Sequence, residues 1–241
     1  MTRFFRTIVI ALLCLAVLGQ WSLFGEMALA GGMDAALEKA IVAGHLTSDQ
    51  SAAIQDRLER IRSEGLPTAP FTTKIEEGLS KRVHGHAIVR ALDAMRDDYV
   101  FAAKNLERDG FTPDPQDVVI TGDSLRLGLT RQELSEMAQV NPHATPAMLA
   151  TAARTRAYLN AINFQAAMTS DIVHQGLVFA TLAPEWTQLF RVVQRARAAG
   201  MADEIVAKAA SRALAEGESL GALLQVLGFT GRDTRQKPDN N

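Results

Sequence analysis

Along this chain apolar residues recur at every third or fourth position, and almost nowhere do they alternate with polar ones. That period belongs to amphipathic helices, so the pattern predicts an all-α protein. The longest stripe is Ile88, Leu92, Met95, Tyr99, Ala102 and Leu106, with Arg90, Asp93, Asp97, Lys104 and Glu107 on the opposite face. Gly110 follows the last turn, where a left-handed C-terminal residue is expected. A helix with one such face needs a surface to bury it against, so these apolar positions are expected in the core.

Shorter stripes surround it. Leu37, Ala40 and Ile41 lead to Gly44, after which Thr47 and Gln50 form a capping box for the helix carrying Ile54, Leu58 and Ile61. Gly65, Pro67 and Pro70 break the chain, and Thr73 with Glu76 offers a second box for the segment through Leu79. Asp114-Pro115 and Thr145-Pro146 each place a cap before a first-turn proline. Met148, Ala152, Thr155, Leu159 and Ile162 form the next stripe, then Ile172, Leu177 and Phe179. Trp186, Leu189, Phe190 and Val193 make the most aromatic face; Ile205, Ala209 and Leu214, then Leu220, Leu223, Leu224 and Leu227, complete the series. The fold expected is an irregular array or bundle of about ten short amphipathic helices, or a set of degenerate helical-hairpin repeats.

One punctuation pattern recurs. Gly44-His45-Leu46-Thr47, Gly78-Leu79-Ser80 and Gly128-Leu129-Thr130 each place a glycine, then a leucine, then a hydroxyl residue. Glycine can take the positive φ that ends a helix, leucine can staple the next one, and the hydroxyl can cap it. Glycines of this kind at 44, 78, 128, 176 and 217 keep no strict period, which favours the irregular array.

The ends add an address. Arg3 and Arg6 precede an apolar run from Thr7 to Leu18, followed by Ala28-Leu29-Ala30, the order of a secretory signal peptide with cleavage after Ala30. The run is well short of the roughly 20 residues a spanning helix needs. An uncleaved anchor is the alternative, since Trp21, Leu23 and Phe24 extend the greasy stretch. The organisation expected is therefore a signal peptide at 1–30, a helical domain at 31–230 with subdivision near 110–115 or 141–146, and a disordered tail at 231–241. Cys14, the one cysteine, lies inside the signal segment. The mature chain is thus expected to hold by packing alone, without disulfides or thiolate chemistry.

The net charge is −2, with opposite signs interleaved, as in Asp56, Arg57, Glu59, Arg60, Arg62 and Glu64. A nucleic-acid partner, which calls for a basic face, is not expected, nor is a membrane partner unless the first segment stays uncleaved.

Two sets of residues carry candidate chemistry. Gly122-Asp123-Ser124-Leu125 follows the β-favouring run Val118-Val119-Ile120-Thr121 and resembles the nucleophile block of the GDSL esterase family, while Asp171-Ile172-Val173-His174 resembles that family's closing Asp-x-x-His element. The resemblance implies Ser124 as nucleophile after a strand, His174 as base and Asp171 as its orienting carboxylate. The family's oxyanion blocks have no match between the two strings. The helical reading of the same residues starts a helix at Asp114-Pro115 and runs it through Leu127, with Asp171 and His174 as helix neighbours. His84 and His86, flanking Gly85, are the candidate metal ligands if a carboxylate joins them; otherwise they are surface residues of a turn. No cofactor is expected.

Lys74-Ile75-Glu76-Glu77-Gly78-Leu79-Ser80-Lys81-Arg82-Val83 resembles a segment of uncharacterised exported bacterial all-helical proteins. That resemblance implies export and helices, and no activity. The function expected is non-enzymatic binding or scaffolding with a protein partner in the bacterial envelope, the periplasm being the expected compartment; the alternative is the serine esterase.

Overall fold

The computed structural model describes residues 32–107 and 110–230. The expectations for the signal peptide, for cleavage at Gly31 and for the tail at 231–241 lie outside the described residues. Among the described residues the chain is helical, with no strand. The helices are α1 (32–42), α2 (Ser48–Ser63), α3 (Ala69–Ser80), α4 (Gly85–Leu106), α5 (Pro115–Arg126), α6 (Arg131–Val140), α7 (Pro146–Ala161) and α8 (Ala166–Val178). A 3-10 turn over Pro184–Gln188 runs straight into α9 (Leu189–Ala198), and α10 (Asp203–Ala215) and α11 (Leu220–Val226) follow.

The described residues divide into two compact units, one of 32–60 with 68–92 and one of 61–67 with 93–107 and 110–230. Both segments proposed as subdivision points, 110–115 and 141–146, fall within the second. In the first unit Leu37, Ile54, Leu58, Phe71, Ile75, Ile88 and Leu92 are among the buried residues. The whole predicted stripe of α4 is buried, from Ile88 through Leu106.

The helix starts follow local chemistry. Thr47 and Gln50 cap each other's backbone N–H groups at 3.1 and 3.2 Å, and Thr130 does the same with Glu133. Asp114 accepts from the Gln116 N–H at 2.7 Å ahead of Pro115, and Thr145 from that of Met148 ahead of Pro146. The box expected at Thr73 and Glu76 does not form. Pro70 starts α3 a turn earlier, and the Thr73 hydroxyl instead donates to the Ala69 carbonyl at 3.1 Å. Each satisfied cap stabilises its helix by ~1 kcal/mol.

The same joint ends nine of the eleven α-helices among the described residues. Gly44, Gly65, Arg82, Gly128, Asn163, Ala180, Gly200, Gly217 and Gly228 all take positive φ, closing α1, α2, α3, α5, α7, α8, α9, α10 and α11. In each case the next N–H donates to the carbonyl five residues back, as His45 does to Ala40, Leu66 to Ile61, Val83 to Gly78, Thr181 to Gly176 and Glu218 to Ala213. This is the Schellman closure, and Leu46, Leu66, Leu129 and Phe164 are buried beside it. The Gly-Leu-hydroxyl pattern is thus the joint at 44 and 128 but not at 78. Gly78 lies inside α3, where an added Cβ would meet Ile88 at 2.9 Å, and the left-handed residue of that joint is Arg82.

Packing in the second unit is laid out in two rows. Helix α7 packs on α5 and α9, α8 packs on α10, and α7–α8 and α9–α10 join the rows. The polar bonds keep the same order. Those joining a helix, or the turn at its end, to the helix after next span 30 to 35 residues: Arg96 to Glu64, Ser135 to Asn105, Arg131 to Asp98, Arg154 to Ile120, Thr181 to Leu214, and Arg197 to Ile162 and Asn163. Contacts limited to the next helix and the helix after next are those of a quasi-one-dimensional array. Small residues permit the close approach, since Ala150, Ala152, Ala153 and Ala157 of α7 are all buried, and Trp186 in the turn ahead of α9 is fully buried. Two expected apolar positions are exposed. Phe179 and Ile205 are about half exposed, because α10 turns Val206, Ala207, Ala210 and Leu214 inward and α8 ends before Phe179.

Candidate functional site

The Val118–Thr121 run, read as a strand by the esterase resemblance, is the first half of α5. Asp114 and Pro115 nucleate a helix that runs through it, and tertiary burial of Val118 and Leu125 overrides the β preference of Val-Val-Ile-Thr. Ser124 is fully buried in this helix, and its Oγ donates to the Ile120 carbonyl at 2.6 Å. Asp171 and His174 lie on the exposed face of α8, opposite the buried Ile172 and Val173. Among the described residues no hydrogen bond joins Ser124, Asp171 and His174.

His84 and His86 are both exposed at the start of α4. Among the described residues no group of three or more His, Cys, Asp or Glu forms around them or elsewhere. Gly85 between them packs on Gln50, where a Cβ would come within 2.7 Å.

A different set of side chains converges where α4, α5, α7 and α9 meet. Tyr99 donates to the Asp123 carboxylate at 2.8 Å, and the Arg154 guanidinium lies 3.8 Å from the same carboxylate. Burial, then the bond to Asp123, pushes the Tyr99 phenol well above its usual range, so it stays neutral and donating. Arg154 also donates to the Tyr158 hydroxyl at 3.2 Å and to the Ile120 carbonyl at 3.4 Å, while its Nε is buried without a partner. Its guanidinium carbon sits 5.6 Å from the Tyr158 ring centre. Tyr158 packs on Phe190 with centroids 4.9 Å apart, and the Arg191 guanidinium lies 5.6 Å from the centre of the Phe190 ring.

The result is a ladder of cation, ring, ring and cation crossing from α7 to α9. Guanidinium groups over aromatic faces are held flat with little loss of further freedom, and their outward N–H groups keep their donor capacity. Among the described residues nothing in the ladder pairs a nucleophile with a base; it sets cationic groups against aromatic rings.

On the other side of α7 a second polar group has a structural task. Glu133 caps α6 and accepts from Arg156 at 2.9 Å and from Asn160, and Arg156 continues to Ser170. Burial alone would raise the Glu133 carboxyl, but the backbone and hydroxyl of Thr130, then Arg156, bring it below its usual range. Three successive helices are tied there.

The ladder was only partly legible in the sequence. Phe190 was placed on one aromatic face with Trp186, Leu189 and Val193; those three are buried, whereas Phe190 is turned half outward. Arg154 and Tyr158 stand four apart on α7, a spacing that signals contact on one helix face. No family model, curated protein or solved structure matches the chain.

Proposed function

We propose that this chain is an exported, non-enzymatic helical scaffold that binds a protein partner in the bacterial envelope. The observation that carries the reading is the two-row array, whose packing sets one row of helices, α5, α7 and α9, side by side with half-exposed aromatic and arginine side chains between them. Arrays of this type offer extended faces for partners rather than a closed pocket for a reaction. The export part rests on Arg3, Arg6, the apolar run and Ala28-Leu29-Ala30.

The test has two parts. Fractionation with N-terminal sequencing of the protein from its native cells should find it outside the cytoplasm with Gly31 as its first residue. Crosslinking in intact cells should then give one dominant partner, recovered reciprocally when that partner is the bait. A cytoplasmic chain beginning at Met1 would overturn export, and a chain that crosslinks to no partner would overturn the scaffold.

A further inference from the structure

We infer that the Arg154–Tyr158–Phe190–Arg191 ladder is the docking site of an acidic, extended peptide segment of the partner, an inference that rests on the scaffold reading and specifies its contact face. The first argument is charge. Helices α7 and α9, neighbours in one row, carry five arginines and no acidic side chain. Two of the five are committed to carboxylates of neighbouring helices, Arg156 to Glu133 and Arg197 to Asp203. Arg154 shares the Asp123 carboxylate with the Tyr99 hydroxyl, at the longer distance of 3.8 Å. Arg191 is exposed, lies on Phe190, and forms no ion pair among the described residues. Positive charge therefore flanks the aromatic pair, unpaired at Arg191 and only loosely met by Asp123 at Arg154.

The second argument is geometry. The exposed Arg191 guanidinium, lying over the Phe190 ring, can offer its donor edge to a carboxylate through two parallel bonds, while Arg154 adds charge from the far side of the rings. The rings between the cations supply an apolar strip, which suits side chains interleaved with acids. A peptide offers both on a short segment.

Polyanions fit less well. The whole chain carries a net charge of −2, and binding to nucleic acid or to an anionic bilayer draws on a broad basic field rather than on two cations flanking a pair of rings. An acidic protein segment needs only the local match.

The inference is tested by panning a display library of short random linear peptides on the full chain. Enriched sequences should be rich in Asp and Glu and should be released by salt. A synthetic peptide from the enriched set should lose about tenfold or more in affinity on Arg191→Glu, an exposed position where circular dichroism should show an unchanged fold, with Phe190→Ala as the aromatic counterpart. Absence of acidic enrichment, or equal binding to Arg191→Glu, would overturn the site. Single-stranded DNA or phosphatidylglycerol vesicles binding as tightly as the peptide, with the same loss on Arg191→Glu, would overturn the peptide as its occupant. If the cellular partner crosslinks equally to the wild-type chain and to Arg191→Glu, the scaffold stands and this docking site falls.

Discussion

The interior of α5 and the joint that ends it both hold a glycine, and the two glycines do opposite things. Gly122 has ordinary helical backbone and is needed for its missing side chain, because a Cβ there would sit 2.5 Å from the Tyr99 ring. Gly128 has open space around it and is needed for its backbone, at φ +109. One permits two helices to touch, and the other turns the chain. The first kind recurs at Gly78 against Ile88 and Gly176 against Leu182, and the second at Gly44 and Gly200. A rhythm of glycines read along the sequence mixes the two and so has no clean period. The joints alone do recur, at most helix ends, and there glycine is replaceable: Arg82, Asn163 and Ala180 take the same left-handed conformation.

Substitutions can separate the two roles. The largest effect is expected for Gly122→Ala, because the Tyr99 ring it would strike is buried and tied to Asp123 and cannot move aside. Urea denaturation should show a loss of about 3 kcal/mol, whereas Gly221→Ala, in a helix with nothing closer than 3.5 Å, should gain up to about 1 kcal/mol. If both lose equally, close approach is not what Gly122 provides. Gly128→Ala is expected next, with a loss of about 1 to 2 kcal/mol from backbone strain and no change in side-chain packing. Arg82→Gly should act in reverse and raise stability by about 1 kcal/mol, since the same joint is relieved of a Cβ in the left-handed region. No gain at Arg82 would mean that its side chain, not its backbone, is what the joint uses.

The smallest effect concerns pH. The Glu133 carboxyl titrates below its usual value in the folded chain, so its contribution is fully present above the unfolded value of 4.5 and is lost as pH falls through the folded one. Thr130→Ala removes the hydroxyl that helps lower it, keeps the backbone N–H, and should cost about 1 kcal/mol at neutral pH. Between neutral pH and about pH 3 the variant should lose less stability than the wild type, measured by urea midpoints. Asp117, pushed upward by burial and then by Asp114, has the opposite sign in both proteins and cancels in the difference. Equal acid losses would show that the cap does not set the Glu133 equilibrium.

Much of the fold was written locally. Helix class, the α4 stripe and the caps at Thr47, Asp114, Thr130 and Thr145 need only neighbours a few residues away, and such features are legible wherever period and cap chemistry agree. The failures share a cause. Val118–Thr121 favours strand by composition yet is helix, Thr73 could cap yet donates within α3, and Phe179 and Ile205 fit a stripe yet face outward. In each case an adjacent element decided. The candidate triad was assembled from two strings, and short strings carry no information on whether Ser124 points into a core while His174 points out of it.

By itself, then, the sequence determined that this chain makes helices and where most of them begin, because hydrogen bonds and caps act within a turn. The tertiary structure alone decided which glycines are contacts and which are joints, and which aromatic residue of the Trp186–Val193 face turns outward. It also decided that Arg154, Tyr158, Phe190 and Arg191 meet, because residues some 35 apart become neighbours only when the helix after next packs back on its predecessor, and no local signal encodes that distance.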